Sequence, residues 1–245
     1  MNGFELAAVA GLPEVVPGDD LGHLICRQAT LRSGDVLVVA QKIVSKSEGR
    51  LVDLKSVTAT DKAVAIASRL IASPDPRMVQ VVLNESVRIV RSERVLITET
   101  RHGFVCANGG VDHSNVGGVD VLSLLPLDPD ASAARLRARI RELANVDVGV
   151  IVSDTFGRPW RVGIVNVALG VSGIPSAIDL RGSLDDAGQP LHATVLAIAD
   201  DLASAAGVVM GKTERAPVVI VRGLELDGDG TGAELIRPAD EDLFR

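Results

Sequence analysis

Unbroken apolar runs in this chain predict strands buried on both faces, and apolar residues recurring every three or four positions predict helices. Residues 35–44 (DVLVVAQKIV) form the first strong run, launched by the turn Ser33-Gly34, and predict a buried strand. It ends in Ser45-Lys46-Ser47-Glu48-Gly49-Arg50, polar residues at the carboxyl end of a strand, where α/β proteins tend to place ligands. Val64, Ala67 and Ile71 fall at helical spacing, so a helix is expected over 60–72, broken by Ser73-Pro74-Asp75-Pro76. Residues 87–90 and 95–98 predict a hairpin, with a third strand over 103–107. Asp128-Pro129 opens the clearest helix, with Leu136, Ile140 and Leu143 on one face. A short apolar strand is expected over 148–152, strands over 162–171 and 174–180, a helix over 193–206 and a last strand over 218–221. The Gly- and Asp-rich tail, 227–245, is expected to pack loosely. No internal repeat or linker divides the chain, so 1–245 is read as one domain, or two small interlocked ones.

Composition sharpens this picture. Hydrophobic residues are 47% of the chain but aromatics only 2%, so Val, Leu, Ile and Ala must fill the core, and an α/β or α+β class follows. The formal net charge of -7, with no basic cluster, argues against nucleic acid as a partner. Arg135, Arg137, Arg139 and Arg141 line the other face of the helix begun at Asp128 and are read as a solvated face rather than a phosphate patch. Cys26 and Cys106 have no metal-type spacing and are assigned no chemistry. No apolar run reaches the roughly 18 residues of a membrane span, and the first residues lack a basic leader, so a cytoplasmic location without membrane contact is expected.

Two segments concentrate chemistry. In 108–118 four glycines free the backbone around Asp112, Ser114 and Asn115. In 153–161 (SDTFGRPWR), Asp154 and Thr155 leave a strand end. Carboxylate and hydroxyl oxygens suit a hard cation such as Mg²⁺ or Mn²⁺, whereas aspartates capping turns would use the same residues. Lys46 could neutralise a nucleotide phosphate or simply sit on the surface. Arg158 and Arg161 flank Pro159-Trp160 as an anion clamp or as ion-pair partners of Asp154. Residues 207–213 (GVVMGKT) resemble a Walker A motif but are one residue short and follow a helix, which argues against a P-loop fold. His23, His102, His113 and His192 make no zinc spacing or triad.

Four motifs in order, residues 12–15 with Pro17-Gly18-Asp19-Asp20, then 44–50 (VSKSEGR), 110–115 (GVDHSN) and 153–161, resemble the coenzyme F-420-0:gamma-glutamyl ligase family over nearly the whole chain. The resemblance implies an unusual α+β fold of mixed, largely antiparallel sheets with flanking helices, an intertwined homodimer, and GTP-driven joining of L-glutamate to a deazaflavin, F-420-0. It also implies paired Mn²⁺ or Mg²⁺ ions, and allows a monovalent cation such as K⁺. Carried over by position, Leu12, Pro13, Glu14 and Val15 would touch the guanine nucleotide, with Gln41, Lys46, Asn115, Met210, Gly211 and Lys212 also around it. Asp112, Asp154 and Thr155 would be metal ligands, the two aspartates the catalytic pair, and Arg158 and Arg161 would meet the deazaflavin substrate. Lys212 stands where a glutamine can ligate metal, and so could act only as a charge on phosphate. Some relatives carry a flavin-binding, nitroreductase-like domain, and residues 237–244 look like the approach to that join. Two rivals stay open: a metal-dependent phosphohydrolase, which would need no glutamate, and a nucleotide-binding regulatory domain, which would turn nothing over.

Overall fold

The computed structural model describes residues 3–114, 116–211 and 214–242. Strand β1 (Glu5–Ala8) leads to helix α1 (Leu21–Gln28), capped by Asp20, whose carboxylate accepts from His23 N at 3.0 Å. Strand β2 (Val36–Ala40) is shorter than the apolar run suggests, because the polar pair Gln41-Lys42 begins helix α2 (Gln41–Ser47). Beyond β3 (Leu51–Asp53), helix α3 (Asp61–Ala67) is capped by Thr60 and stops before Ala72.

The stretch 73–76 does more than break a helix. Asp75 caps a second one, α4 (Pro76–Asn84), with Pro76 at its first turn, where the missing proline N–H costs nothing. Strands β4 (Ser86–Glu93) and β5 (Val95–Thr100) form the expected hairpin, turning at Arg94 with φ 66°, and β6 (Val105–Ala107) adds the third strand. Strand β7 (Val121–Ser123) pairs with β3. Helix α5 (Pro129–Ala144) begins at the Asp128 cap as read from the sequence.

The SDTFGRPWR segment is not a loop. Strand β8 (Gly149–Arg158) runs through it and returns as β9 (Arg161–Ser172), the turn falling at Trp160 with φ 58°. Of the strand expected over 174–180 only β10 (Ile178–Asp179) forms, paired with β11 (Val195–Leu196). The expected helix starts later and ends later, as α6 (Ile198–Met210), and β12 (Val218–Arg222) closes the fold.

The main sheet has the order β1-β12-β2-β8-β9, and only β2 and β8 are parallel. The fold is therefore mixed α and β with mostly antiparallel sheets. Alternation of side chains along the central strands splits its core in two. Leu37, Val39, Val150 and Val152 pack under α1 and α5 against Ile25, Leu136 and Ile140. Val36, Val38 and Ile151 face the other way, onto Ala199, Leu202 and Ala206 of α6. A separate core built from Leu54, Ile66, Val79, Val82, Leu96 and Leu122 joins α3 and α4 to the β4–β5–β6 sheet. The arginine face of α5 is solvated, as expected: Arg135, Arg139 and Arg141 are exposed, and the face carries surface ion pairs, Arg135 with Glu48 at 2.6 Å, Arg137 with Asp147 at 3.0 Å and Arg139 with Asp20 at 2.8 Å.

The tail also departs from the loose packing expected, because Asp130 near the start of α5 accepts from Val171 N at 2.8 Å and Gly232 N at 2.6 Å. Residues 232–235 form a 3-10 turn closed by a Thr231–Glu234 capping box. Leu243 and Phe244 lie outside the described residues. No helix among the described residues is long and apolar enough to cross a membrane.

Candidate functional site

The parallel pair ends with Ala40 opposite Ser153, after which β2 turns into α2 while β8 continues to Arg158. This divergence leaves a crevice at the carboxyl ends of two strands, a position open α/β sheets use for ligands. A cavity of about 660 Å³ occupies it. Leu12, Pro13, Glu14 and Val15 line one wall, Gln41, Lys42 and Lys46 of α2 another, and Met210 and Gly211 a third. Asp112 and Ser114 enter from the glycine-rich loop, and Ser153, Asp154 and Thr155 from β8. Aspartates from two distant segments thus open into one space.

Each side chain is held by a traceable local cause. Gln41 is buried and its Oε1 accepts from Ser45 Oγ, one turn on, at 2.8 Å. Lys46, only 6% exposed, directs its ammonium to Glu14. Arg215 approaches the same carboxylate at 3.7 Å. Thr155 Oγ1 donates to Asn166 Oδ1 across the β8–β9 pair at 3.1 Å, and Asn166 Nδ2 faces Met210 Sδ at 3.6 Å. Ser153 Oγ is buried with no hydrogen-bond partner among the described residues, a polar group left available to whatever enters.

Asp112 is held through both of its carboxylate oxygens. Its Oδ1 accepts from Ser114 N at 2.8 Å, and its Oδ2 from Lys42 Nζ at 2.7 Å and Ser114 Oγ at 2.9 Å. Burial alone would push this carboxyl up, but the Lys42 ammonium and the Ser114 contacts outweigh it and hold the acid below its ordinary value. Cys106, behind the site on β6, is pushed up to about 12 by burial and then by the charge of Asp154, so it is an inert thiol.

Several expected residues are placed elsewhere. Arg158 and Arg161 pair at the outer end of the hairpin, and Arg158 Nη2 donates to Val162 O at 2.8 Å. Four residues of strand separate Arg158 from Asp154, about 13 Å at a rise of roughly 3.3 Å per residue. They do not line the cavity. In the VSKSEGR motif only Lys46 lines it: Glu48 turns to Arg135 and Arg50 to Glu85 at 2.8 Å. Asn115 and Lys212 lie outside the described residues. Of the Walker-like segment, Gly207 to Met210 form the end of α6 and Gly211 its cap.

Sequence reasoning missed Lys42, Ser153, Asn166 and Arg215, all of which line the cavity. The polar pair Gln41-Lys42 inside an apolar run was the signal for the first of these.

Among the described residues no three His, Cys, Asp or Glu side chains group closely enough to cage a metal. The donors that do converge on the cavity are oxygens, from Asp112, Ser114, Asp154, Thr155 and Asn166. The Lys42 ammonium already takes three of them, on Asp112 and Ser114. Such a set fits a hard divalent ion that keeps waters and completes its shell with substrate phosphate.

A model of the F420-0:Gamma-glutamyl ligase family matches residues 11–223. The coenzyme F420:L-glutamate ligase of Methanopyrus kandleri is 46% identical over the full length of both chains. That of Methanocaldococcus jannaschii is 43% identical over 99% of this chain and 95% of its own. That of Methanothermobacter thermautotrophicus is 42% identical over 99% of each.

Proposed function

The chain belongs to the F420-0:gamma-glutamyl ligase family, and from that premise we propose that it joins L-glutamate to coenzyme F420-0 at the expense of GTP. One observation carries this reading beyond the family match: Asp112, Asp154, Lys46 and residues 12–15 open into one cavity, large enough for a nucleotide.

In the proposed reaction GTP lies with its base against Leu12, Pro13, Glu14 and Val15 and its phosphates over Lys46. The terminal carboxylate of F420-0 attacks the γ-phosphorus. A C–O–P bond forms, the bond to the β-phosphate oxygen breaks, and GDP leaves. The uncharged amine of glutamate then attacks the acyl carbon; the amide forms, inorganic phosphate departs with the C–O electron pair, and the nitrogen gives up a proton.

Asp112, Asp154 and Thr155 would hold one or two Mn²⁺ or Mg²⁺ ions, which supply charge compensation on the phosphate oxygens. The protein's own share is mainly to hold the reacting carboxylate and amine in line. Repetition on the new terminus would give γ-linked extension. We place the phosphate-bearing end of the deazaflavin along β8 toward Arg158 and Arg161. Trp160 and Val162, 81% and 99% exposed at the hairpin's outer end, give apolar surface for the homodimer of this reading.

The test is mass spectrometry of a reaction containing the full chain, GTP, Mn²⁺, L-glutamate and F420-0. A product heavier by one glutamyl residue, with GDP formed in step, is expected. GTP breakdown without glutamate or F420-0 would favour a phosphohydrolase, and nucleotide binding without turnover a regulatory domain. Exchanging Lys46 for Met should weaken GTP binding roughly ten- to hundredfold, the worth of a charge-assisted bond of about 1.5–3 kcal/mol, read by calorimetry.

A further inference from the structure

Lys42 spends all three of its N–H donors on one small cluster: Asp112 Oδ2 at 2.7 Å, Ser114 Oγ at 2.8 Å and Ser114 O at 2.6 Å. Three oxygens around one positive nitrogen resemble what a hard cation would take. The other Asp112 oxygen is used by Ser114 N. A metal ion cannot join Asp112 Oδ2 while the ammonium stays, because two cations would then crowd one oxygen.

The ammonium has somewhere to go. Lys42 and Lys46 stand one turn apart on α2, four residues being the spacing that puts side chains on one face. Both line the cavity, and among the described residues the Lys42 ammonium meets the carboxylate of Asp112 and that of Lys46 meets Glu14. The Lys42 stem is flexible and a fifth exposed. A triphosphate in the same cavity offers it several anionic oxygens in place of one carboxylate.

We propose that Lys42 exchanges partners as the site loads: its ammonium closes Asp112 to metal until nucleotide phosphates draw it away, so that metal binding at Asp112 waits on nucleotide. This rests on the reading of the cavity as a metal–nucleotide site. It assigns to Lys42 a role in both affinities, with opposite signs.

The experiment uses the full chain, with Mn²⁺ alone followed by electron paramagnetic resonance, and GTP binding measured separately in EDTA. Relative to the unaltered protein, K42M is expected to bind Mn²⁺ about tenfold more tightly and GTP about tenfold more weakly, a size typical of coupling between sites. K42Q, which keeps a hydrogen-bond donor without the charge, should behave alike. In K42M/D112N the gain in Mn²⁺ affinity should vanish, which would locate the ion at Asp112.

A phosphate-binding lysine with no hold on the metal would lose GTP affinity alone, and a structural lysine would weaken both ligands. Unchanged or weaker Mn²⁺ binding in both K42M and K42Q therefore overturns the exchange while leaving the ligase reading intact. Absence of GTP binding in the unaltered protein, both in EDTA and with Mn²⁺ present, would overturn both.

Discussion

Exchanging Asp154 for Asn is expected to lower glutamylation roughly a thousandfold, the scale seen when one preorganised electrostatic contact is lost from a transition state. The amide has the carboxylate's shape, so the hairpin should keep its register and the protein its melting temperature. The change removes the charge that Asp154 brings to the cavity. A second readout checks that the charge itself is lost: Cys106, whose thiol is raised by burial and then by Asp154, should titrate at lower pH in the variant. Activity within a few-fold of the parent, with the thiol shifted, would take Asp154 out of the reaction.

The second large effect concerns stability. Gly170 of β9 lies directly beneath the start of α5, where an added Cβ would overlap the Pro129 carbonyl and come within 2.7 Å of Asp130 N. Backbone has to move, and with it Asp130, whose carboxylate pins Val171 and Gly232. Gly170→Ala should therefore cost about 3 kcal/mol or more, the upper range for forcing extra volume into a packed site. For a chain of this size that is a fall in Tm of roughly 6–12 °C. Gly157→Ala, where nothing lies within 4 Å of the new methyl, serves as the control and should move Tm by about 2 °C at most. Equal behaviour of the two variants would mean that α5 is not seated on β9 as described.

Strands and helices dominated by one period were readable from residues alone, as α5 and the β4–β5 hairpin illustrate. Reading failed where one residue type carries two meanings. Asp75-Pro76 and Asp128-Pro129 are the same signature, an N-cap followed by proline at the first turn. The second predicts a helix start because a long periodic stretch follows; the first, beside the break after 60–72, predicts only an end.

The strand expected over 35–44 stops at Gln41 because an apolar run marks burial in a helix as well as in a strand: Gln41, Ile43 and Val44 are buried on α2. At the site, the individual residues were visible as motifs, but their convergence was not. Asp112 meets Lys42 across a separation of 70 residues and Asp130 meets Gly232 across 102. Contacts at such distances leave no periodic trace in a single sequence. Arg158 and Arg161 show the opposite error, since adjacency to Asp154 in sequence became separation along an extended strand.

The order of strands in the main sheet bears on how this protein must be made. β12, residues 218–222, is inserted between β1 and β2. During synthesis the first strand can find no permanent neighbour in that sheet until residues 218–222 have left the ribosome. Pairings of such long range pay their loop-closure entropy before they repay it, which slows folding. The Val-rich edge of β2 stays unpaired meanwhile, inviting association with other nascent chains. Overexpression should thus be limited by aggregation of unfinished molecules, and slower translation at lower temperature should raise the yield.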